Sequence, residues 1–420
     1  MVNEVINRLE KRINHRQIDG YAKKVCDKLE RSGYKSYLVG GCVRDMMASQ
    51  EPKDFDVATE ATADQTIKLF RGALRIGRRF PIVHVRFERQ FIEVTTLQKE
   101  PVSLWRRLFG QVKPSSLMED AVRRDFTVNA LYYSLAEKVC HDPLNGIEDI
   151  EKKIIRSIGD ADLRVQEDPI RMLRALRLAA KLDFTIEPSL KAAIHEHKEL
   201  LLTGSAQRLF QEMVKILLSG CAVSSWQLMK EHGMLDLLCP SLTHHKMASY
   251  HANGLRNSDE RIQSGRQVSL VYALAMLYWP AFSFAVGRMP FKVKNDWMKI
   301  LQGVMEPIQV PLKIKEGIIQ LYDMQFRMQY PRADDLPTLV KSPRFKAAFD
   351  FFMMRAATDS GFYQIASWWS DFFKAEDWVQ ACMINERAMA ERRRAARPMR
   401  PRKGSRPHQR SHKKTRPQKT

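Results

Sequence analysis

The segment from Ser36 to Thr59 constrains the fold most strongly, because its periodicity changes twice within a short distance. SYLVGG reads as a short strand ending in two glycines, CVRDMMAS has helical spacing, and DFDVAT at 54–59 reads as a second strand. Two apolar alternations at 82–87 and 91–97 follow and predict a hairpin. This part of the chain is therefore expected to form a small mixed sheet.

From about residue 122 onward, apolar residues recur at three- and four-residue intervals, which predicts helices. The predicted fold class is α+β, with a small mixed-sheet head followed by an all-helical neck and body. We expect an N-terminal extension at 1–17, a mixed-sheet head at 18–150, a helical neck at 151–220, a helical body at 221–390 and a disordered basic tail at 391–420.

The formal net charge of +21 predicts binding to a polyanion. Residues 391–420 carry 13 Lys and Arg but one acidic residue, are interrupted by prolines and lack aromatic residues. A segment of this kind cannot bury enough apolar surface to fold, so we expect a disordered tail whose cations contact phosphates. Its first candidate contacts are Arg392, Arg393 and Arg394.

Six cysteines without a CxxC pair, and an N-terminus without an apolar signal segment, favour a reducing cytoplasm. The uncharged stretch at 267–287 is long enough for a membrane span, but Pro280 interrupts it. We therefore expect a buried core helix that ends near Tyr278, and no stable membrane span.

Asp54 and Asp56 are two residues apart in a strand-like run, which would place both carboxylates on one face. Such a pair repels unless a cation lies between its members, and Mg²⁺ prefers carboxylate and phosphate oxygens. Glu93 projects from the polar face of FIEVTTL and is the candidate third ligand. The alternative is that the two aspartates only form the polar face of an edge strand.

The glycines Gly40 and Gly41 join a predicted strand to a predicted helix just before these acids. Glycines there allow a phosphate to approach the backbone, the helix N-terminus offers N–H groups, and Arg44 adds positive charge. A pair of glycines at a strand end also occurs in ordinary tight turns. The proximity of this turn to the paired aspartates favours a phosphate site.

Four motifs occur in order along the chain: YLVGGCVRD at 37–45, KDFD at 53–56, RRDFTVNA at 123–130 and EDPIRMLRA at 167–175. Together they resemble the class II nucleotidyltransferases, which include CCA-adding enzymes and bacterial poly(A) polymerases. The resemblance implies that Arg124, Asp125 and Asn129 hold the ribose and triphosphate. It also implies that Asp168 and Arg171 read the base. Arg174 and Arg177 lie on the same side of that helix as Arg171 by their three-residue spacing and are further nucleotide-binding candidates. The alternative for these arginines is an ordinary charged face paired with Glu167.

The run GRRFPIVHV at 77–85 resembles the poly(A) polymerase branch. The resemblance implies that AMP is transferred from ATP to RNA 3′ ends with release of pyrophosphate, with two Mg²⁺ or Mn²⁺ ions as cofactors. Arg78 and Arg79 form a basic turn that could meet RNA phosphates. His84 is interpreted as a structural histidine. The alternatives are a CCA-adding or A-adding tRNA nucleotidyltransferase and an RNA-binding scaffold without activity; protein partners are not predicted.

Overall fold

The computed structural model describes residues 13–77, 82–88, 90–97, 117–243, 248–287 and 290–395, with the side chains of 292, 394 and 395 left out. The chain forms two compact units, Met1–Tyr322 and Asp323–Thr420. The head and neck predicted from the sequence both fall within the first unit. The segment boundaries at 150 and 220 stay a prediction.

The first unit begins with the elements of the head. They are α1 (Gly20–Arg31), β1 (Ser36–Val39), α2 (Gly41–Met47), β2 (Asp56–Thr59), α3 (Ala63–Leu69), β3 (Leu74–Ile76), β4 (Ile82–Phe87), β5 (Gln90–Thr96), α4 (Leu117–Val122), a 3-10 turn (Thr127–Asn129), β6 (Tyr132–Ser134), β7 (Val139–His141), α5 (Gly146–Glu151) and β8 (Ile154–Ile155). The predicted strand–helix–strand and the predicted hairpin are confirmed.

Seven of these strands form one sheet in the order β3-β4-β5-β2-β1-β6-β7. β2 and β5 are parallel neighbours, and the other pairs are antiparallel. Helices α1 and α3 pack on one face, where Val57, Val83, Val85 and Val94 are almost fully buried. The sheet is therefore mixed, as predicted.

The segment 123–134 does not continue as a helix, contrary to its three- and four-residue spacing. After α4 the chain forms the 3-10 turn and then β6, which pairs with β1. Tyr132 and Tyr133 are buried there, and the 3-10 turn is packed so closely against α5 that a Cβ on Gly146 would lie 2.2 Å from the Thr127 carbonyl oxygen. Long-range packing thus overrides the local helical pattern.

The helices that follow in the first unit are α6 (Ala161–Glu167), α7 (Ile170–Leu182), α8 (Pro188–His197), α9 (Ala206–Leu217), α10 (Ala222–Glu231), α11 (Met234–Leu238), α12 (Ala248–Gln263), α13 (Leu270–Val286), α14 (Trp297–Met305) and the first part of α15 (Leu312–Gln329); β9 (Thr185–Ile186) pairs with β8.

The apolar stretch forms the buried helix α13, but that helix does not end near Tyr278. It continues through Pro280 to Val286. Phe282 is fully buried beyond the proline and packs against Trp297 and Tyr322, so tertiary packing offsets the lost hydrogen bond. Within the described part of the chain, no helix combines the length and apolar character that a membrane crossing requires.

The second unit contains the end of α15, α16 (Leu336–Val340), α17 (Phe345–Thr358), α18 (Tyr363–Lys374) and α19 (Asp377–Ala395). Its core holds Phe351, Phe352, Trp369 and Phe372. The indole N–H of Trp369 donates to the carbonyl oxygen of Met328. Helix α19 continues through residues 391–395, so the first part of the segment predicted to be disordered is helical; residues 396–420 lie outside the described part.

Candidate active site

Asp56 and Glu93 lie side by side on neighbouring strands. Asp56 begins β2 and is in register with Glu93 on β5 and with Val39 on β1. Residues in register project from the same face of a sheet. Asp54 is exposed and precedes the strand, so β2 starts two residues later than its sequence pattern indicates, and the shared face of Asp54 and Asp56 stays a prediction.

The electrostatics show that the three acids act on one another. Burial and the charges of Glu93 and Asp54 together raise the pKa of Asp56 to about 7, although Arg124 and Lys215 lower it in part. In the described part of the chain, the cations that act on Asp56 therefore offset the negative charge of this edge only in part. A divalent cation would offset the remaining charge, and carboxylate oxygens are the donors that Mg²⁺ prefers.

His84 adjoins these acids from the next strand. It is in register with Glu93, its Nε2 lies 3.3 Å from Glu93 Oε1, and its ring stacks on Phe91 with centroids 4.2 Å apart. We interpreted His84 as structural from its alternation with valines. Its contact with Glu93 places it at the carboxylate edge.

The turn between β1 and α2 requires a glycine. Gly40 has φ +73°, a region that side chains with a Cβ rarely adopt. A Cβ on Gly40 would lie 3.6 Å from Arg124 Nη1, and one on Gly41 would lie 3.6 Å from Arg44 Nη2. Two guanidinium groups therefore border the glycine turn. Arg44 is buried and donates to Asp45, and its Nη1 lies 2.6 Å from Asn129 Oδ1.

The RRDFTVNA segment forms a connected polar network. Arg124 donates to Asp120 and to the Tyr132 hydroxyl. Burial alone would raise the pKa of Asp120, but the Arg124 and Arg123 guanidinium groups outweigh it, and the pKa is lowered. The Arg124 guanidinium beside the glycine turn is thus held in place by the Asp120 carboxylate.

Asp125 is buried at the centre of a second cluster. It accepts hydrogen bonds from the Asn129 side chain at 3.0 Å, from the Phe126 backbone and from Arg174. Burial would raise its pKa, yet Arg174 and these hydrogen bonds hold it at about 2. Asp125 therefore stays ionised and ties the head to α7.

The EDPIRMLRA motif lies where α6 ends and α7 begins. Asp168 accepts two hydrogen bonds from Arg208, at 3.0 and 2.7 Å. Arg171 donates to Glu167 and to the Arg164 carbonyl oxygen, which is the pairing that an ordinary charged face predicts. Asp168 thus connects the start of α7 with α9, and Arg171 connects α7 with α6. Their roles in reading a base stay a prediction.

The next two arginines of α7 are also paired. Arg177 donates to Glu212 of α9 at 2.5 Å, and Arg174 pairs with Asp125. All four nucleotide-binding candidates on this segment thus form contacts that connect the neck helices with each other or with the head.

Two lysines that our sequence analysis did not select contribute to the same region. Lys181 Nζ lies 2.8 Å from Asp45, and Lys215 lowers the pKa of Asp56. The signal for Lys215 was its place three residues after Glu212 on one helix, since that spacing shares a face. Lys181 had no comparable signal, because Asp45 is remote in sequence.

The predicted RNA contacts are only partly described. Arg78 and Arg79 lie outside the described residues. Arg392 and Arg393 are exposed on α19, and Arg394 belongs to the same helix.

Among the described residues, one set of three possible metal ligands has its ligand atoms within 4.8 Å of one another, and it lies away from the sheet edge. It consists of Asp162, Glu196 and His197, of which both acids are exposed. The oxygens of Asp54, Asp56 and Glu93 are spread more widely, as expected for carboxylates that repel one another.

Three sequence families match successive parts of the chain. Residues 36–156 match the "Poly A polymerase head domain", and residues 183–246 match the "Probable RNA and SrmB- binding site of polymerase A". Residues 293–407 match the "Polymerase A arginine-rich C-terminus". The matches thus extend from the sheet into the basic tail.

Poly(A) polymerase I of Salmonella typhi is 32% identical over 94% of this chain and 91% of its own length. The CCA-adding enzyme of Lactobacillus johnsonii is 34% identical over 51% of this chain and 54% of its own. The solved CCA-adding enzyme of Bacillus stearothermophilus in complex with CTP has a TM-score of 0.56 and 25% identity, covering 89% of this chain and 81% of that one. The chain belongs to the poly(A) polymerase I family of nucleotidyltransferases.

Proposed function

We propose that Asp54, Asp56 and Glu93 form the catalytic centre of a poly(A) polymerase, which adds AMP from ATP to RNA 3′ ends without a template and releases pyrophosphate. The observation that carries the assignment is the negative charge at the β2–β5 edge, where burial and two neighbouring acids raise the pKa of Asp56 to about 7. This edge lies beside the glycine turn and the Arg124 guanidinium.

The acids suit Mg²⁺, or Mn²⁺ in its place. Asp54 and Asp56 would hold the ions, with Glu93 as a further ligand. Two bound ions would activate the RNA 3′-hydroxyl and neutralise the charge on the leaving pyrophosphate. The chain's own contribution is to place these carboxyl groups at one sheet edge and to align the substrates against it.

The glycine turn and its two arginines form the proposed triphosphate site. Gly40 and Gly41 let phosphate oxygens approach the backbone, and Arg124 faces the turn with a guanidinium already fixed by Asp120 and Tyr132. A donor that is held in place loses little freedom on binding. Asn129, positioned by Arg44 and Asp125, would contact the ribose.

Base selection is assigned to Asp168 and Arg171 at the start of α7, with Arg174 and Arg177 holding that helix against Asp125 and Glu212. A carboxylate accepts and a guanidinium donates, so the pair can match a base edge without a nucleic-acid template. The contacts to Arg208 and Glu167 would have to rearrange when a nucleotide enters.

RNA is the proposed acceptor. The match to an arginine-rich C-terminal family and the exposed Arg392 and Arg393 favour a phosphate-binding surface at this end of the chain. Arg394 would add to it, and Arg78 and Arg79 are separate candidate phosphate contacts in the head. Contacts to phosphates give affinity that falls with salt and carries no sequence information.

The alternative is a CCA-adding or A-adding tRNA nucleotidyltransferase, which the half-length similarity to a CCA-adding enzyme supports. To distinguish the two, an oligo-RNA is incubated with Mg²⁺ and each nucleoside triphosphate separately. We expect a long ladder with ATP alone. Incorporation of CMP, or a stop after one to three additions, would favour the alternative, and no product with any nucleotide would indicate a scaffold.

A further inference from the structure

A single row of side chains crosses four strands of the head sheet. Leu74 on β3 is in register with His84 on β4, His84 with Glu93 on β5, and Glu93 with Asp56 on β2. Neighbouring strands are about 4.8 Å apart, so His84 and Leu74 lie about 10 and 15 Å from the Asp56 strand. This row of side chains therefore extends from Asp56 towards the β3 edge of the sheet by about the width of a nucleotide.

Among the residues that the structure describes, those that cover this face of the sheet lie over one half of it. Over β1, β2 and β6 it packs into a core with Ala121 and Ile158. Over β3, β4 and β5, Leu74 is 50% exposed, Ile76 44% and Phe91 51%. The residues that such a sheet presents to solvent are normally polar. Exposed apolar residues beside the catalytic acids therefore indicate a binding surface.

The aromatic part of this surface is held in place. Phe91 stacks on His84, with an angle of 7° between the rings, and His84 is held to Glu93 through the contact between Nε2 and Oε1. Arg86, in register with Phe91, is exposed beside it. A flat apolar surface with an adjacent cation suits a nucleotide that presents a base and a phosphate.

The position of this apolar surface indicates which of the two substrates supplies the nucleotide that binds there. The glycine turn and Arg124 lie on the β1 side of Asp56, and this is where the proposed function places the ATP triphosphate. The β3–β5 side of the same acids is then left for the strand that carries the attacking hydroxyl.

We propose that Leu74, Ile76, His84 and Phe91, here named the acceptor platform, bind the terminal base of the RNA acceptor strand. The proposal rests on the proposed function. Single-stranded bases bind to proteins largely by stacking on aromatic side chains, and every base offers such a face. The platform would therefore position any 3′ end against Glu93 without selecting its sequence. His84 acts as a positioning residue, because it holds both Phe91 and Glu93.

The first test compares Phe91→Ala with Phe284→Ala, which removes an exposed ring far along the chain at 84% exposure. Loss of a base stack predicts a KM for a short oligo(A) that rises about tenfold or more, with the KM for ATP within twofold of wild type. Phe284→Ala is expected to leave both values unchanged. Leu74→Ser and Leu202→Ser form a second matched pair of half-exposed leucines, with a smaller change expected for Leu74→Ser.

A second test measures binding without turnover, using an RNA with 2-aminopurine as its last base. Stacking quenches this base, so wild-type protein should lower its fluorescence and Phe91→Ala should not, whereas Phe91→Trp should restore the quenching. An RNA whose last nucleotide is abasic provides a double-mutant cycle. Removing the base should weaken binding to wild type about tenfold and leave binding to Phe91→Ala almost unchanged.

The proposal is overturned if Phe91→Ala and Leu74→Ser leave RNA affinity and quenching at the wild-type level in folded protein. It is also overturned if they raise the KM for ATP as much as that for RNA, because the surface would then belong to the nucleotide. The binding tests remain informative if the wild-type chain adds no AMP, so failure of the platform and failure of the proposed function give different results.

Discussion

Two groups of acids in the first unit have opposite surroundings. Asp120 and Asp125 are buried against arginines, and both have lowered pKa values, that of Asp125 being about 2. Asp56 is also shielded from water, but its neighbours are Glu93 and Asp54, and its pKa is raised to about 7. Burial penalises the charge in all three cases, and the sign of the nearest partner decides the outcome.

The difference separates acids whose charge is matched by arginines of the chain from acids to which the proposed function assigns a cation. Asp120 and Asp125 have partners supplied by the chain, so their charge stabilises the native structure. Asp56 and Glu93 share an edge whose negative charge the described cations offset only in part, which raises the pKa of Asp56. An unbalanced group of this kind marks a functional site.

The largest expected effect is on turnover. Asp54→Asn and Asp56→Asn should each lower AMP incorporation by a factor of about 1,000 or more, since charge neutralisation at a metal site contributes several kcal/mol. Thermal melting should show that both variants remain folded. Initial rates with oligo(A) and ATP measure the effect, with Asp64→Asn, an exposed acid on α3, as the control. Full activity in Asp54→Asn would remove that residue from the metal site.

Asp125→Asn should lower the free energy of unfolding. It leaves Arg174 without its charged partner, and loss of one member of a buried pair costs about 2–4 kcal/mol when the other is partly exposed. Because the pKa of Asp125 is lowered in the folded state, its stabilisation is complete above about pH 4 and is lost as the pH falls towards 2. Urea unfolding of the wild type and the variant at pH 7 and pH 3 measures both the destabilisation and its dependence on pH. A smaller loss at pH 7 than at pH 3 would contradict the assignment.

In metal-free protein, Asp56→Asn should raise the free energy of unfolding at pH 8 by about 1–2 kcal/mol. The pKa of Asp56 is higher in the folded than in the unfolded chain, so its penalty is absent below about pH 4 and grows as the pH rises through 7. The gain should disappear at pH 4. Mg²⁺ should raise the melting temperature of the wild type at pH 8, and an equal rise in Asp56→Asn would count against this site.

The smallest effect is expected at a half-exposed ion pair. Lys181→Met removes one of two cations that contact Asp45, and Arg44 remains, so the free energy of unfolding should fall by about 1 kcal/mol. Lys152→Met, which removes an exposed pair with Glu148, is the matched control and should cause no measurable change. Equal effects in the two variants would show that the Asp45 contact is no stronger than a surface pair.

The sequence predicts what depends on near neighbours. Alternation along 82–87 and 91–97 identified the hairpin, and the glycines before α2 identified the turn. It did not predict β6, because that strand owes its existence to pairing with β1 and to burial of Tyr132 and Tyr133. A pattern over a few residues carries no information on such a partner.

The candidate site likewise contains features that the sequence predicts and features that it does not. Asp56 and Glu93 could be selected from alternation, but their adjacency depends on the parallel pairing of β2 with β5. The contacts of α7 with the head were implied only by family resemblance. Lys181 and Lys215 were missed, because each acts on an acid more than a hundred positions away in the chain.

The pairs Asp125–Arg174 and Asp45–Lys181 each join the head to α7, and this limits how related enzymes can be recombined. A chimera that takes its neck from one parent and its head from another keeps these charges matched only if both parents place them at the same positions. Exchanging α7 between parents that place these charges differently would therefore require exchanging both members of each pair together.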